Sequence, residues 1–112
     1  MKEYMLFKKG KIYIEKYKEV CDFNKKFFKK LIKNTDKKRV LIDKEFRLDC
    51  SLGELKKFSI KKDALYVKIK LNKDGKIVDK VYRGVAPSYT EKENNLYLES
   101  ISFTNNSIFE DK

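Results

Sequence analysis

Apolar and polar positions alternate strictly over Ala64–Leu71. Leu65, Val67, Ile69 and Leu71 share one side, with Tyr66, Lys68 and Lys70 on the other, the pattern of a half-buried strand. Gly53–Ile60 reads as the strand before it, the two joined near Lys61-Lys62-Asp63. Nearer the start, Tyr4–Phe7 and Lys11–Ile14 flank Lys8-Lys9-Gly10 and predict a short hairpin. The period then changes. Phe23, Phe27, Phe28, Leu31 and Ile32 recur at helical spacing, and Lys25, Lys26, Lys29, Lys30 and Lys33 take the opposite side. A helix over Phe23–Asn34 follows, with Asp22 placed to cap it. Arg39–Asp43 predicts a strand after a lysine-rich turn, and a less regular stretch reaches Ser51. Asn72-Lys73-Asp74-Gly75 is turn chemistry, and Lys76–Tyr82 suits a short helix with Ile77, Val78 and Val81 inward. Gly84–Thr90 and Leu96–Thr104 form a hairpin around residues 91–95, before a tail that is polar apart from Ile108 and Phe109. The expected fold is α+β, over residues 1–112 as one domain: a mainly antiparallel sheet that curls or closes into a small barrel, flanked by one amphipathic helix.

Composition narrows the classes. The chain has 112 residues, 40% of them charged. Leu, Ile, Val and Phe still make up about 29%, above the roughly 20% below which a highly charged chain tends to stay disordered. Every apolar run is interrupted well short of the about 20 residues a membrane helix needs. The opening residues lack the apolar stretch of a secretory signal, so the expected location is the cytoplasm. In that compartment Cys21 and Cys50 are expected as reduced, packed thiols.

Net charge is +11, and residues 1–38 hold 13 Lys against 5 acids. Such a balance attracts nucleic acid, but only Arg39, Arg47 and Arg83 carry the bidentate fork that phosphate readers favour. The lysine-rich helix has two further readings, a membrane-surface helix and a core-packing helix with a solvated face.

Catalytic chemistry is poorly provided for. Histidine is absent, so Cys21, Cys50 and the serines have no imidazole to activate them, and no His-bearing zinc site can form. Two cysteines cannot make a four-thiolate site, and neither a metal nor a cofactor is expected. A Ser–Lys pair needs a buried lysine. Asp43 and Glu45, two apart, are placed to share a strand face, and the isolated glycines build no phosphate-cradling loop.

Five segments, in order, carry more: Val40-Leu41-Ile42-Asp43-Lys44, Leu52-Gly53-Glu54-Leu55, Ala64-Leu65-Tyr66-Val67, Tyr82-Arg83-Gly84-Val85-Ala86-Pro87-Ser88-Tyr89, and Leu98 through Phe103-Thr104-Asn105-Asn106-Ser107. Together the set resembles the maturation (prohead) serine proteases of tailed bacteriophages, relatives of the herpesvirus assemblins. That resemblance implies an assemblin-like fold and a Ser–His–acid triad. The family's catalytic His falls at Lys44 and its nucleophilic Ser at Ala86, while Glu99 matches the acidic third member. An exposed lysine is cationic near neutral pH and takes no proton, and alanine has no nucleophilic atom.

What the resemblance implies is therefore a degenerate member without peptidase activity, acting in capsid assembly through scaffold or capsid protein, in the bacterial cytoplasm and inside the procapsid. Ser88, two residues beyond Ala86, offers the one rescue, a Ser88–Lys44 dyad with residual peptidase activity. A bland account also stands: Ala86 as a small residue before Pro87 in an edge strand, and Lys44 as one more solvated lysine. From a different class comes a small basic nucleic-acid-binding barrel using the lysine-rich helix and exposed aromatics. Partners to consider are thus capsid or scaffold protein, a second copy in a homodimer, and weakly held, non-specific nucleic acid, with no membrane.

Overall fold

Period-two patterning, the β-branched and aromatic content, and one helical stripe translate into eight strands and two short α-helices in the computed structural model, which describes residues 1–15, 17–47, 51–93 and 95–105. In chain order these are β1 (Lys2–Lys8), β2 (Gly10–Ile14), β3 (Glu19–Phe23), α1 (Lys25–Asn34), β4 (Leu41–Lys44), β5 (Gly53–Lys61), β6 (Ala64–Leu71), α2 (Lys73–Asp79), β7 (Gly84–Lys92) and β8 (Asn95–Thr104). A single 3-10 turn, Lys37–Arg39, links α1 to β4. Cys50, Ile108, Phe109 and the end of the last resemblance motif, Asn106-Ser107, lie outside the described residues.

The strands form two three-stranded sheets, ordered β1-β6-β5 and β4-β8-β7, and a separate ribbon, β2-β3. All pairs are antiparallel except β4 with β8. β1 runs beside β7 and β4 beside β5, and the Leu52 amide donates to the Ile42 carbonyl at 2.8 Å. Among the described residues no ladder joins those edges, so the expected barrel is not closed.

Three local expectations are corrected. The N-terminal hairpin does not form, because the chain turns out of one sheet at Lys9-Gly10. Lys8 pairs with Ala64 and Gly10 with Phe23. The helix starts later than expected: Phe23 is buried at the end of β3, and Asn24 caps α1 by accepting from the Phe27 amide at 2.9 Å. The expected cap, Asp22, instead accepts from the Asn24 amide group at 3.4 Å.

The third correction concerns α2. Its first turn is the stretch expected as a turn, because the Asn72 side chain accepts from the Gly75 amide at 2.8 Å. Gly75 is required there, since a Cβ would lie 2.0 Å from the Leu52 carbonyl oxygen. That close approach fixes which side of the two-turn helix faces in. Val78 packs on the core, while Ile77 and Val81 are 58% and 67% exposed. Asp79 anchors the helix to β1 through Lys2 at 2.8 Å and the Tyr4 hydroxyl at 2.6 Å.

The core is aromatic at one end. Phe7 of β1 has ring contacts with Phe23, Phe27, Phe28 and Tyr89, at centroid separations from 5.1 to 6.1 Å. Phe28 and Leu31 are buried, so α1 lies on the core by its apolar stripe and does not stand free. Thr35 locks its end: the hydroxyl donates to the Leu31 carbonyl at 2.6 Å and accepts from the Leu98 amide at 2.9 Å. No described helix is long and apolar enough to cross a membrane.

Candidate functional site

The sheet β4-β8-β7 holds all four positions to which the sequence assigns triad or rescue roles. Its register aligns Asp43, Ser102 and Ala86 in one cross-strand row. One neighbouring row is Lys44, Phe103 and Val85, and on the other side, two residues along, is Leu41, Ser100 and Ser88. Side chains alternate between faces along a strand. Asp43, Ser102, Ala86, Ser100 and Ser88 therefore share one face, while Lys44 falls on the other with Phe103 and Val85. Asp43 and Ser102 are both 0% exposed, and the Ser102 hydroxyl donates to Asp43 Oδ1.

Ala86 is buried against this pair and contributes only a methyl group. Lys44, half-buried, ends β4 about 10 Å across the sheet from Ala86, two strand spacings away. Ser88 is further still, three residues along the strand direction, about 10 Å, and two strand spacings across from Lys44. The two do not meet as a dyad. Glu99 is the extra residue of a β-bulge between Leu98 and Ser100, is exposed, and accepts from the Thr90 hydroxyl. It stands three residues along β8 from Ser102, away from the row that holds Ala86. Asp43 and Glu45 do not share a face either. β4 ends at Lys44, and Glu45 enters a turn with φ 50°. There it accepts a hydrogen bond from Tyr82, whose phenol is held above its ordinary range first by that bond.

The Asp43–Ser102 pair escapes a search for triads because both residues lie inside resemblance segments at positions to which the family assigns no triad role. A usable signal was nevertheless present: Ser100, Ser102 and Thr104 alternate with Ile101 and Phe103. That pattern puts a hydroxyl on every second residue in the last part of β8, alternating with large apolar side chains.

A second feature is electrostatic. Lys25, Lys26, Lys29, Lys30 and Lys33 are all exposed on α1, and the 3-10 turn adds exposed Lys37, Lys38 and Arg39. The one ion pair in this run among the described residues is Arg39 with Asp36, at 3.7 Å. Lys25 and Lys26 occupy the first turn of α1, which contains no acidic residue. Positive charge is least favourable there, against the helix dipole. Past the end of α1, Asn34, Asp36, Arg39, Tyr97, Leu98 and Glu99 line a shallow pocket of about 470 Å³.

The remaining nucleophile is quiet. Cys21 is a free thiol under the Tyr89 hydroxyl at 3.9 Å, and burial pushes the thiol up, away from the thiolate that reactivity needs. Among the described residues no cluster of three His, Cys, Asp or Glu side chains could hold a metal ion. Comparison with protein-family models, with curated proteins and with solved structures finds no match to this chain.

Proposed function

We propose that this protein is a non-catalytic, prohead-protease-like module that acts in capsid assembly by binding scaffold or capsid protein. The observation that carries the non-catalytic part is the row Asp43–Ser102–Ala86. At the position where the family places its nucleophile there is a buried methyl group beside an enclosed Ser–Asp pair, and Lys44, at the position of the family's base, lies on the opposite face of the sheet. The segment order supports the family part. A helix precedes β4, the short α2 stands between β6 and β7, and Ala86-Pro87-Ser88 lies on β7 against the last strand, β8. An assemblin-like curl is the finer form of the fold: the six strands of the two sheets follow one another around the core, leaving the β1/β7 and β4/β5 edges as unpaired seams.

A residual Ser–Lys peptidase finds less support, because Ser88 and Lys44 stand on opposite faces of the sheet. Two measurements test the proposal separately. Incubation with a serine-directed fluorophosphonate should leave the protein unlabelled, and labelling that is lost in Ser88→Ala would replace it with the peptidase. Biolayer interferometry against purified tailed-phage scaffold and major capsid proteins should give saturable binding to one of them. Binding to neither would remove the assembly role.

A further inference from the structure

The basic face of α1 is unexplained by partner binding through a degenerate protease fold. Five lysines on a helix about 15 Å long repeat along its outer side at four-residue intervals, about 6 Å. Residues 37–39 extend the same charge toward β8. This arrangement opposes folding twice, through like-charge repulsion at four-residue spacing and through lysines at the positive end of the helix dipole.

The geometry points to a binding site for single-stranded nucleic acid, with the backbone phosphates on the α1 lysines and a base in the pocket beside Tyr97. This goes beyond the capsid-assembly role and does not rest on it. Three observations select the ligand. First, the apolar stripe of α1 faces inward, with Phe28 1% exposed. The outer side thus presents lysine without the apolar residues that an interfacial membrane helix inserts. Second, a protein partner is ordinarily gripped by a buried aromatic or apolar anchor, and the outward positions of α1 supply none.

Third, the strip leads directly into the pocket. Thr35 holds the end of α1 against Leu98, and Asn34, the last residue of α1, lines that pocket together with Tyr97 and Arg39. Tyr97 is 39% exposed, enough to offer a ring face for stacking. Asp36 and Glu99 also line the pocket. They disfavour a phosphate there but can accept from an N–H on the Watson–Crick edge of an unpaired base, the N3–H in thymine. Lysines make point contacts with phosphate, without the bidentate fork of arginine, so recognition along the strip is blind to sequence.

The test is fluorescence anisotropy with a labelled 20-nucleotide oligothymidine over a salt series, using the whole chain. Affinity should fall with salt at about 0.7 log units per log unit for each phosphate neutralised. The triple variant Lys26→Glu, Lys30→Glu, Lys33→Glu should flatten that slope by about 2 and weaken binding more than tenfold at low salt. A control with the same charge change on exposed lysines elsewhere, Lys57→Glu, Lys62→Glu, Lys70→Glu, should keep most of the affinity and the slope. Should the first variant melt early, the matching Lys→Gln triple keeps helix propensity and should show the same ranking at smaller size. Tyr97→Ser should weaken the oligothymidine by roughly fivefold or more while leaving a 20-base-pair duplex unaffected. Equal losses in both lysine triples would overturn the site and leave only net charge. Equal affinity for polyglutamate or for anionic phospholipid vesicles would overturn the choice of ligand, as would a Tyr97→Ser variant that binds as tightly as the parent.

Discussion

Removing the Ser102 hydroxyl perturbs one hydrogen bond and almost nothing else. Ser102→Ala deletes a single oxygen from a residue that is 0% exposed and leaves the Cβ in place, so the sheet keeps its packing. What it takes away is the donor to Asp43 Oδ1. Withdrawing a partner from a buried polar group costs about 1–3 kcal/mol. Water cannot substitute easily, because Asp43 is itself 0% exposed. Taking about 2 kcal/mol and a urea slope near 1.5 kcal/mol per molar, the midpoint should fall by roughly 1 M with an unchanged slope. Ser88→Ala, on a half-exposed residue of the same face, should stay within about 0.5 kcal/mol of the parent. A double-mutant cycle with Asp43→Ala should return a coupling of at least about 1 kcal/mol between the two positions. A midpoint shift below about 0.3 M for Ser102→Ala, or additive effects in the cycle, would refute the pair as a structural unit.

Other consequences follow from the same packing. Phe7→Ala empties the centre of the aromatic cluster and should cost about 3–5 kcal/mol, lowering Tm by more than about 10 °C in a thermal melt; a loss under about 1 kcal/mol would mean the cluster is not packed as described. Burial first, and then Asp79, hold the Tyr4 phenol above its ordinary range, while burial and then Cys21 do the same for Tyr89. The folded protein therefore keeps protons that the unfolded chain releases near pH 10. That contribution to stability is fully present below pH about 10 and is lost as pH rises through the folded-state values. The urea midpoint should accordingly fall between pH 9 and 11, with part of the 295 nm tyrosinate absorbance appearing only on unfolding. Lys44→His combined with Ala86→Ser should remain unlabelled by a fluorophosphonate while folded, because the two positions face opposite sides of the sheet; labelling of the double variant would show that they meet.

Element types were legible where one pattern governed the segment. Leu65-Val67-Ile69 and the Phe28-Leu31 stripe gave β6 and α1, since in both the buried side chains also set the period. Strand partners were not legible at the start of the chain. Tyr4–Phe7 and Lys11–Ile14 look like hairpin arms, but β1 buries Leu6 and Phe7 through a bulge against β6, a long-range pairing that no local pattern encodes. In α2, spacing puts Ile77, Val78 and Val81 on one inward face, but the close approach of Gly75 to Leu52 fixes the helix rotation and leaves Ile77 and Val81 exposed. Position-by-position matching located Ala86 on β7 but could not reveal that Lys44 belongs to the opposite face. That depends on the register of β4 against β8, a parallel pairing between segments more than fifty residues apart.

The central claim, binding without cleavage in capsid assembly, is tested most directly by one measurement. Particles formed by co-expressing this chain with the scaffold and major capsid proteins of a tailed phage are isolated by sedimentation, and every protein in them is weighed by intact mass spectrometry. The chain should travel with the particles, and the scaffold protein should carry its uncut mass. Particles that form without the chain, or that contain it together with scaffold protein trimmed in a manner dependent on Ser88, would contradict the account.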